Sequence, residues 1–97
     1  MRKDRIEGKR ISILGMARSG VSCAVLLHKL GAEVFVSDVK KKELLTPQIE
    51  QLEEFDIDYE TAGHTSKVIH NKDFLVVSPG IPSDIPILNQ AESLGIP

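Results

Sequence analysis

The sequence predicts an α/β fold of three layers, a parallel sheet covered by helices on both faces. Strand-length apolar runs alternate with helix-length amphipathic segments from residue 11 to residue 97. The run Ile11-Ser12-Ile13-Leu14 stops at the glycine turn Gly15-Met16-Ala17-Arg18-Ser19-Gly20, and the chain restarts there as a helix. Phe74-Leu75-Val76-Val77 is apolar throughout, as a strand covered on both faces should be.

Residues 11–14 form the first predicted strand. A helix follows from residue 19 or 20 to residue 30, with Val21, Ala24, Val25, Leu27 and Leu30 giving the face that meets the sheet. Gly31 ends it in the left-handed conformation, and Lys29 in the last turn suits the helix dipole. Glu33-Val34-Phe35-Val36-Ser37 is the second strand, delivering Asp38 to the carboxyl edge of the sheet just before Lys40-Lys41-Lys42.

Thr46 followed by Pro47 announces a second helix, Thr46 as its cap, whose narrow apolar stripe is Ile49, Leu52 and Phe55. Ile57 and Tyr59 alternate with Asp56, Asp58 and Glu60, which predicts a short third strand near the sheet edge with one wet face. Gly63-His64 closes it, and Val68-Ile69 falls in a short helical turn. Residues 74–77 then read as a central parallel strand. Asp84-Ile85-Pro86 opens the last helix, with Ile87, Leu88, Ala91 and Leu94 on one face and Gly95 at its end. A helix closed by Gly95-Ile96-Pro97 is the usual lead into another parallel strand. The expectation is therefore a truncated N-terminal module, whose last strand and further domains lie beyond Pro97.

Composition narrows the function classes. At 97 residues, 41% of them hydrophobic, the chain has room for one domain with a modest core. Twelve basic against 14 acidic residues leave a net charge of -2, so no global field draws it to nucleic acid or to an acidic membrane. The charged first ten residues precede only a strand-length apolar run, which excludes a signal peptide or a membrane span there. Cys23 is the only cysteine, so no intrachain disulfide forms, and it reads as a small buried helix residue rather than a reactive thiol. A cytoplasmic protein is expected.

Three segments converge beyond the carboxyl ends of the strands, where open α/β sheets bind ligands. In the first, Gly15 and Gly20 permit a sharp turn and close helix packing, while Arg18 and Ser19 offer backbone N–H groups to a phosphate at the positive end of the helix dipole. The pattern is G-x-A-x-x-G, without the glycine that lets backbone approach a dinucleotide pyrophosphate. The second is Asp38-Val39-Lys40, with Asp38 at the distance where nucleotide-binding folds set an acid against ribose hydroxyls or a base edge. The third is Ser78-Pro79-Gly80-Ile81-Pro82, a rigid corner directly after a strand.

Each segment also has a plainer reading: a steric strand-helix junction, a turn cap, a connector without ligand contact. The basic run at residues 40–42 reads as solvated surface before it reads as a phosphate clamp. His28, His64 and His70 match no metal-ligand spacing and take surface or structural roles, and no set of residues defines a catalytic centre. Two other readings stay open, an NAD(P)-binding domain of an oxidoreductase and an interaction domain without a ligand.

Gly15 to Ser22, then Gly31-Ala32-Glu33-Val34 through Ser37-Asp38, then Val76-Val77-Ser78-Pro79-Gly80-Ile81-Pro82, together resemble the N-terminal domain of the Mur ligases. The Ser-Pro-Gly-Ile corner is closest to the members that add D-glutamate, and the resemblance runs from about residue 10 to residue 97. It implies a Rossmann-like domain that holds the UDP part of UDP-N-acetylmuramoyl-L-alanine in a cytoplasmic step of peptidoglycan synthesis. On that resemblance Arg18 and Ser19 contact the diphosphate within the turn from Gly15 to Gly20. Asp38, Val39 and Lys40 surround the uridine, and Ser78, Pro79, Gly80 and Ile81 line the uracil or sugar side. Val39 and Lys40 lie where members of the family vary. ATP, which activates the substrate carboxylate as an acyl phosphate, Mg2+ and the incoming D-glutamate are implied to bind later domains. The G-x-x-x-x-G-K-[ST] loop is absent from these residues, so no cofactor and no catalysis are expected of them alone.

Overall fold

In the computed structural model, which describes residues 3–82 and 84–97, four parallel strands make the middle layer. Met1 and Arg2 of the charged N-terminal stretch lie outside the described residues. The strands are β1 (Arg10–Leu14), β2 (Glu33–Ser37), β3 (Asp58–Glu60) and β4 (Phe74–Val77), in the order β3-β2-β1-β4. The helices are α1 (Lys3–Ile6), α2 (Arg18–Lys29), α3 (Thr46–Glu54) and α4 (Pro86–Ser93), with 3-10 turns at Lys42–Leu44 and Ser66–Val68. No described helix is long and apolar enough to cross a membrane.

The alternation of side chains along β1 and β2 divides the core. Ile11, Ile13, Val34 and Val36 face Val21, Ala24 and Leu27 of α2 and Ile49 and Leu52 of α3. Leu14 and Phe35 point the other way, against Val68 and Ile87 of α4. Helical cover on both faces and an all-parallel sheet are as the sequence predicts. Each large apolar side chain buried this way contributes about 1.5–3 kcal/mol, before the entropy of ordering it is set against the gain.

Three local expectations are corrected, and one strand is placed. The strand read as central, which the sequence expects to be followed by another beyond residue 97, is the last in the sheet order among the described residues, and Phe74 and Val77 are 37% and 39% exposed. Only β1 pairs with it along its length, while Leu75 N–H donates to the carbonyl of Pro97 at 2.9 Å. Thr46 is not the cap of α3: it opens the helix after Leu45, and its hydroxyl donates instead to Glu43 O at 3.4 Å. The 3-10 turn before it has already bent the chain, and buried Leu45 anchors the helix start. Leu94, expected on the packed face of α4, lies just past the helix and is 63% exposed. Val25 and Leu30 of the first helical stripe are only half-buried, because α2 meets the sheet through Gly20, Val21, Ala24 and Leu27.

The start of α2 is fixed by a close approach. A Cβ on Gly20 would stand 2.1 Å from the carbonyl oxygen of Gly15, a backbone atom that cannot move aside cheaply. In a solvated helix Gly→Ala stabilises by about 1 kcal/mol. Here Gly20→Ala is expected to destabilise the chain by about 1–3 kcal/mol, because overpacking against backbone outweighs propensity. Urea unfolding followed by circular dichroism measures it, and a gain in stability would contradict the close approach.

Candidate functional site

The loops after β1, β2 and β4 meet at the carboxyl end of the sheet. Gly15 takes φ +106°, a conformation that side chains disfavour, and its N–H donates to Ser37 O at 2.7 Å. A Cβ on Gly15 would lie 2.6 Å from Ser78 Oγ, so the first turn and the corner after β4 are in direct contact. Ser78 N–H donates to Leu14 O at 3.0 Å, and Ile81 N–H closes the corner onto Ser78 O at 3.1 Å. The start of α2 beside them has no side-chain cap and no acidic residue in its first turn, so nothing there competes with an anion for its N–H groups.

Asp38 ties the first turn to the second. Its Oδ2 accepts the N–H of Met16 at 2.7 Å and its Oδ1 the N–H of Lys40 at 2.8 Å, and the residue is only 8% exposed. A carboxylate offers about four acceptor sites, so two backbone donors leave capacity for a ligand. Around it the backbone is closed by Ala62 N–H to Lys40 O at 2.8 Å and Gly63 N–H to Asp38 O at 3.2 Å.

A second network lies directly beneath. Buried Ser37 Oγ donates to Glu60 Oε2 at 2.6 Å and lies 2.7 Å from His64 Nδ1, and Thr65 donates to Glu60 through both its N–H and its hydroxyl. Burial alone would raise the Glu60 carboxyl, but the hydrogen bonds from Ser37 and Thr65, with His64 nearby, hold it below its ordinary value. Burial pushes His64 down, against Asp38 and Glu60, which pull it up. Burial raises the Cys23 thiol, in keeping with a packing role on α2.

These loops enclose a cleft of about 360 Å³, within the size range of small-ligand sites. Of the residues singled out in the sequence, Gly15, Asp38, Val39, Lys40, Ser78, Gly80 and Ile81 line it. Arg18, Ser19, Gly20 and Pro79 do not: Gly20 is buried in packing, while Arg18, Ser19 and Pro79 are exposed outside the lining. The structure adds Met16, Ala17, Leu44, Leu45, Gln48, His64, Pro82 and Ile85. Met16 and Ala17 belong to the glycine turn and were legible there. Gln48 and His64 arrive from α3 and the loop after β3, and no local pattern marks them. A larger, more open hollow of about 870 Å³ lies between α3, β3 and Lys67, His70 and Lys72, and holds none of the singled-out residues. Position at the carboxyl ends of the strands favours the smaller cleft.

A parallel sheet with a glycine turn between its first strand and helix, and a cleft at the carboxyl ends, defines a Rossmann-like domain. Solved structures agree on the fold: the A chain of dipicolinate synthase from Bacillus subtilis matches 89% of this chain and 27% of its own, with TM-score 0.68 at 17% identity. Shikimate dehydrogenase from Aquifex aeolicus matches 94% of this chain and 41% of its own, with TM-score 0.61 at 19% identity. The family of Mur ligase MurD-like N-terminal domains matches residues 9–97, and the chain belongs to it. Relatives named UDP-N-acetylmuramoylalanine–D-glutamate ligase include that of Bdellovibrio bacteriovorus, 43% identical over 94% of this chain and 20% of its own. That of Chlorobium phaeobacteroides is 39% identical over 100% of this chain and 20% of its own. The chain thus spans about a fifth of the length of the curated relatives it matches.

Glu60 and His64 tie the stability of the fold to pH. Glu60 and His64 both hold protons less tightly folded than unfolded, so stability is full above their unfolded values and is lost as pH falls. For His64 the loss begins as pH drops through its ordinary value of 6.5, and for Glu60 through 4.5. The urea midpoint is expected to fall between about pH 7.5 and 5.5, and His64→Asn to flatten that step. A midpoint that rises over this range would contradict the assignment.

Proposed function

We propose that this chain is the UDP-binding N-terminal domain of a ligase that adds D-glutamate to UDP-N-acetylmuramoyl-L-alanine in peptidoglycan synthesis. The observation that carries this reading is the cleft itself, assembled from the Gly15 turn, the Asp38 corner and the Ser78 corner in a chain whose relatives are named as that ligase. The uncapped start of α2, beside the cleft lining rather than in it, offers the N–H groups of Arg18 and Ser19 to the diphosphate. Asp38 holds the two turns in register, with Val39 and Lys40 beside it around the uridine. Ser78, Gly80 and Ile81 form the opposite wall, stiffened by Pro79.

The residues present do not fit ATP and Mg2+. The sequence carries no G-x-x-x-x-G-K-[ST] loop, and no group of three His, Cys, Asp or Glu among the described residues is placed to hold a metal ion. ATP, Mg2+ and D-glutamate are assigned to the part of the ligase outside this chain, in the cytoplasm. The chain's own part is to anchor the nucleotide so that the distant alanyl carboxylate is presented in a fixed position, which lowers the entropic cost of the reaction. The dinucleotide reading is not favoured, since the family match and the relatives named as D-glutamate ligases point to the uridine substrate instead.

Titration with UDP, with UDP-N-acetylmuramoyl-L-alanine and with NAD, read on backbone amide resonances, tests the reading. Saturable shifts at Arg18, Ser19, Asp38 and Gly80 are expected with the two uridine ligands. Shifts confined elsewhere, or NAD displacing UDP, would overturn it. Gly80 separates binding from folding, because a Cβ there meets nothing within 4 Å. Gly80→Ala is expected to leave the unfolding midpoint within about 0.5 kcal/mol of the parent. It should weaken UDP about tenfold through a methyl group projecting into the cleft.

A further inference from the structure

The arrangement around Ser37 fixes which nitrogen of His64 carries the proton. Ser37 Oγ has one hydrogen and two close neighbours, Glu60 Oε2 at 2.6 Å and His64 Nδ1 at 2.7 Å. An ionised carboxylate only accepts, and Glu60 is held ionised by donors from Ser37 and Thr65. The serine hydrogen therefore belongs to Glu60, since two bare oxygens at that distance would repel. Gly63 O, at 3.4 Å, is too distant to compete for it. Ser37 Oγ must then accept from His64, which makes Nδ1 the protonated nitrogen. In the neutral ring Nε2 is left as a bare acceptor, and burial keeps the ring neutral. His64 lines the cleft, and among the described residues its side chain makes no hydrogen bond other than the one through Nδ1 to Ser37. Gln48, in the same cleft, carries a buried Oε1 that has no partner among those residues either.

We propose that His64 is a specificity residue of this cleft, whose Nε2 accepts a hydrogen bond from an uncharged donor of the bound nucleoside, with Ser37 and Glu60 as the positioning residues that set its tautomer. The inference rests on the UDP reading above. The donor is a ring N–H of the base or a hydroxyl of the ribose, since both are the uncharged donors that a uridine presents. A phosphate is excluded as the partner, because it offers only acceptors to an acceptor.

The test uses the whole chain at pH 7.5, with UDP, N3-methyl-UDP, 2′-deoxy-UDP and 3′-deoxy-UDP as ligands for the wild type and for His64→Asn. Asparagine retains an N–H near the position of Nδ1 for Ser37 and has nothing at the position of Nε2. The wild type is expected to bind the analogue that lacks the donor about five- to tenfold more weakly than UDP. In His64→Asn that ratio should fall close to one. The analogue that shows the loss identifies base or ribose as the source. The ratio compares two ligands on one variant, so a general weakening of the fold cancels from it. Long-range ¹⁵N–¹H correlations of the imidazole provide the second readout, with a protonated Nδ1 expected before ligand is added and a shifted Nε2 after. Ratios equal in the two proteins, or a protonated Nε2 in the free chain, would overturn the role of His64 while UDP binding by the wild type left the parent reading standing. Failure of the wild type to bind UDP overturns both.

Discussion

The site depends on one buried carboxylate. Asp38 accepts one backbone N–H from the turn after β1 and another from its own corner after β2, and nothing else among the described residues bridges those two backbones through a side chain. Hydrogen bonds to a charged acceptor contribute about 1.5–3 kcal/mol each, and a buried N–H left without a partner costs a comparable amount. The two turns are thus held in register by Asp38. The third loop joins through Ser78, whose N–H donates to Leu14 O at 3.0 Å and whose side chain packs in the space that a side chain on Gly15 would fill. A ligand entering the cleft meets three walls whose relative positions are set before it arrives, which reduces the ordering cost of binding.

Much of this could be read along the chain. The glycine turn, the strand that delivers Asp38, the alternation of Ile57 and Tyr59 at a wet edge and the proline-led helices all follow from local periodicity and turn chemistry, and local chemistry is what a sequence displays. Phe74-Leu75-Val76-Val77 shows that an apolar run reports covered faces and says nothing of how many neighbours a strand has within one chain. Thr46 was misread. Its suitability as a cap is intrinsic, whereas the direction from which the chain enters α3 is decided by the preceding 3-10 turn and by where Leu45 finds the core.

The part of the site that stayed hidden is the part made by long-range pairs. Ser37, Glu60 and His64 lie more than twenty residues apart between the first and the others, and no spacing rule links them. Read singly, each has an unremarkable explanation: a strand-end serine, an edge glutamate, a loop histidine. Parallel pairing of β2 with β3 puts Ser37 opposite Glu60, and the loop that follows β3 returns His64 to the same point. Sheet register therefore determines the chemistry of this wall, and register is a property of the folded chain.

Fold likeness and family membership answer different questions here. The fold is shared with dipicolinate synthase and shikimate dehydrogenase at under 20% identity, and at that distance the likeness speaks for the backbone alone. What separates the readings is local. Dinucleotide sites direct their acidic residue at a ribose. In this chain the acid is bound to its own backbone, accepting the N–H groups of Met16 and Lys40. An acid engaged in holding two turns together has less freedom to follow a ribose, and other groups stand around the same cleft. His64 and Gln48 bring to that wall acceptors that have no protein partner among the described residues, and of these His64 is the one proposed for recognition of the nucleoside.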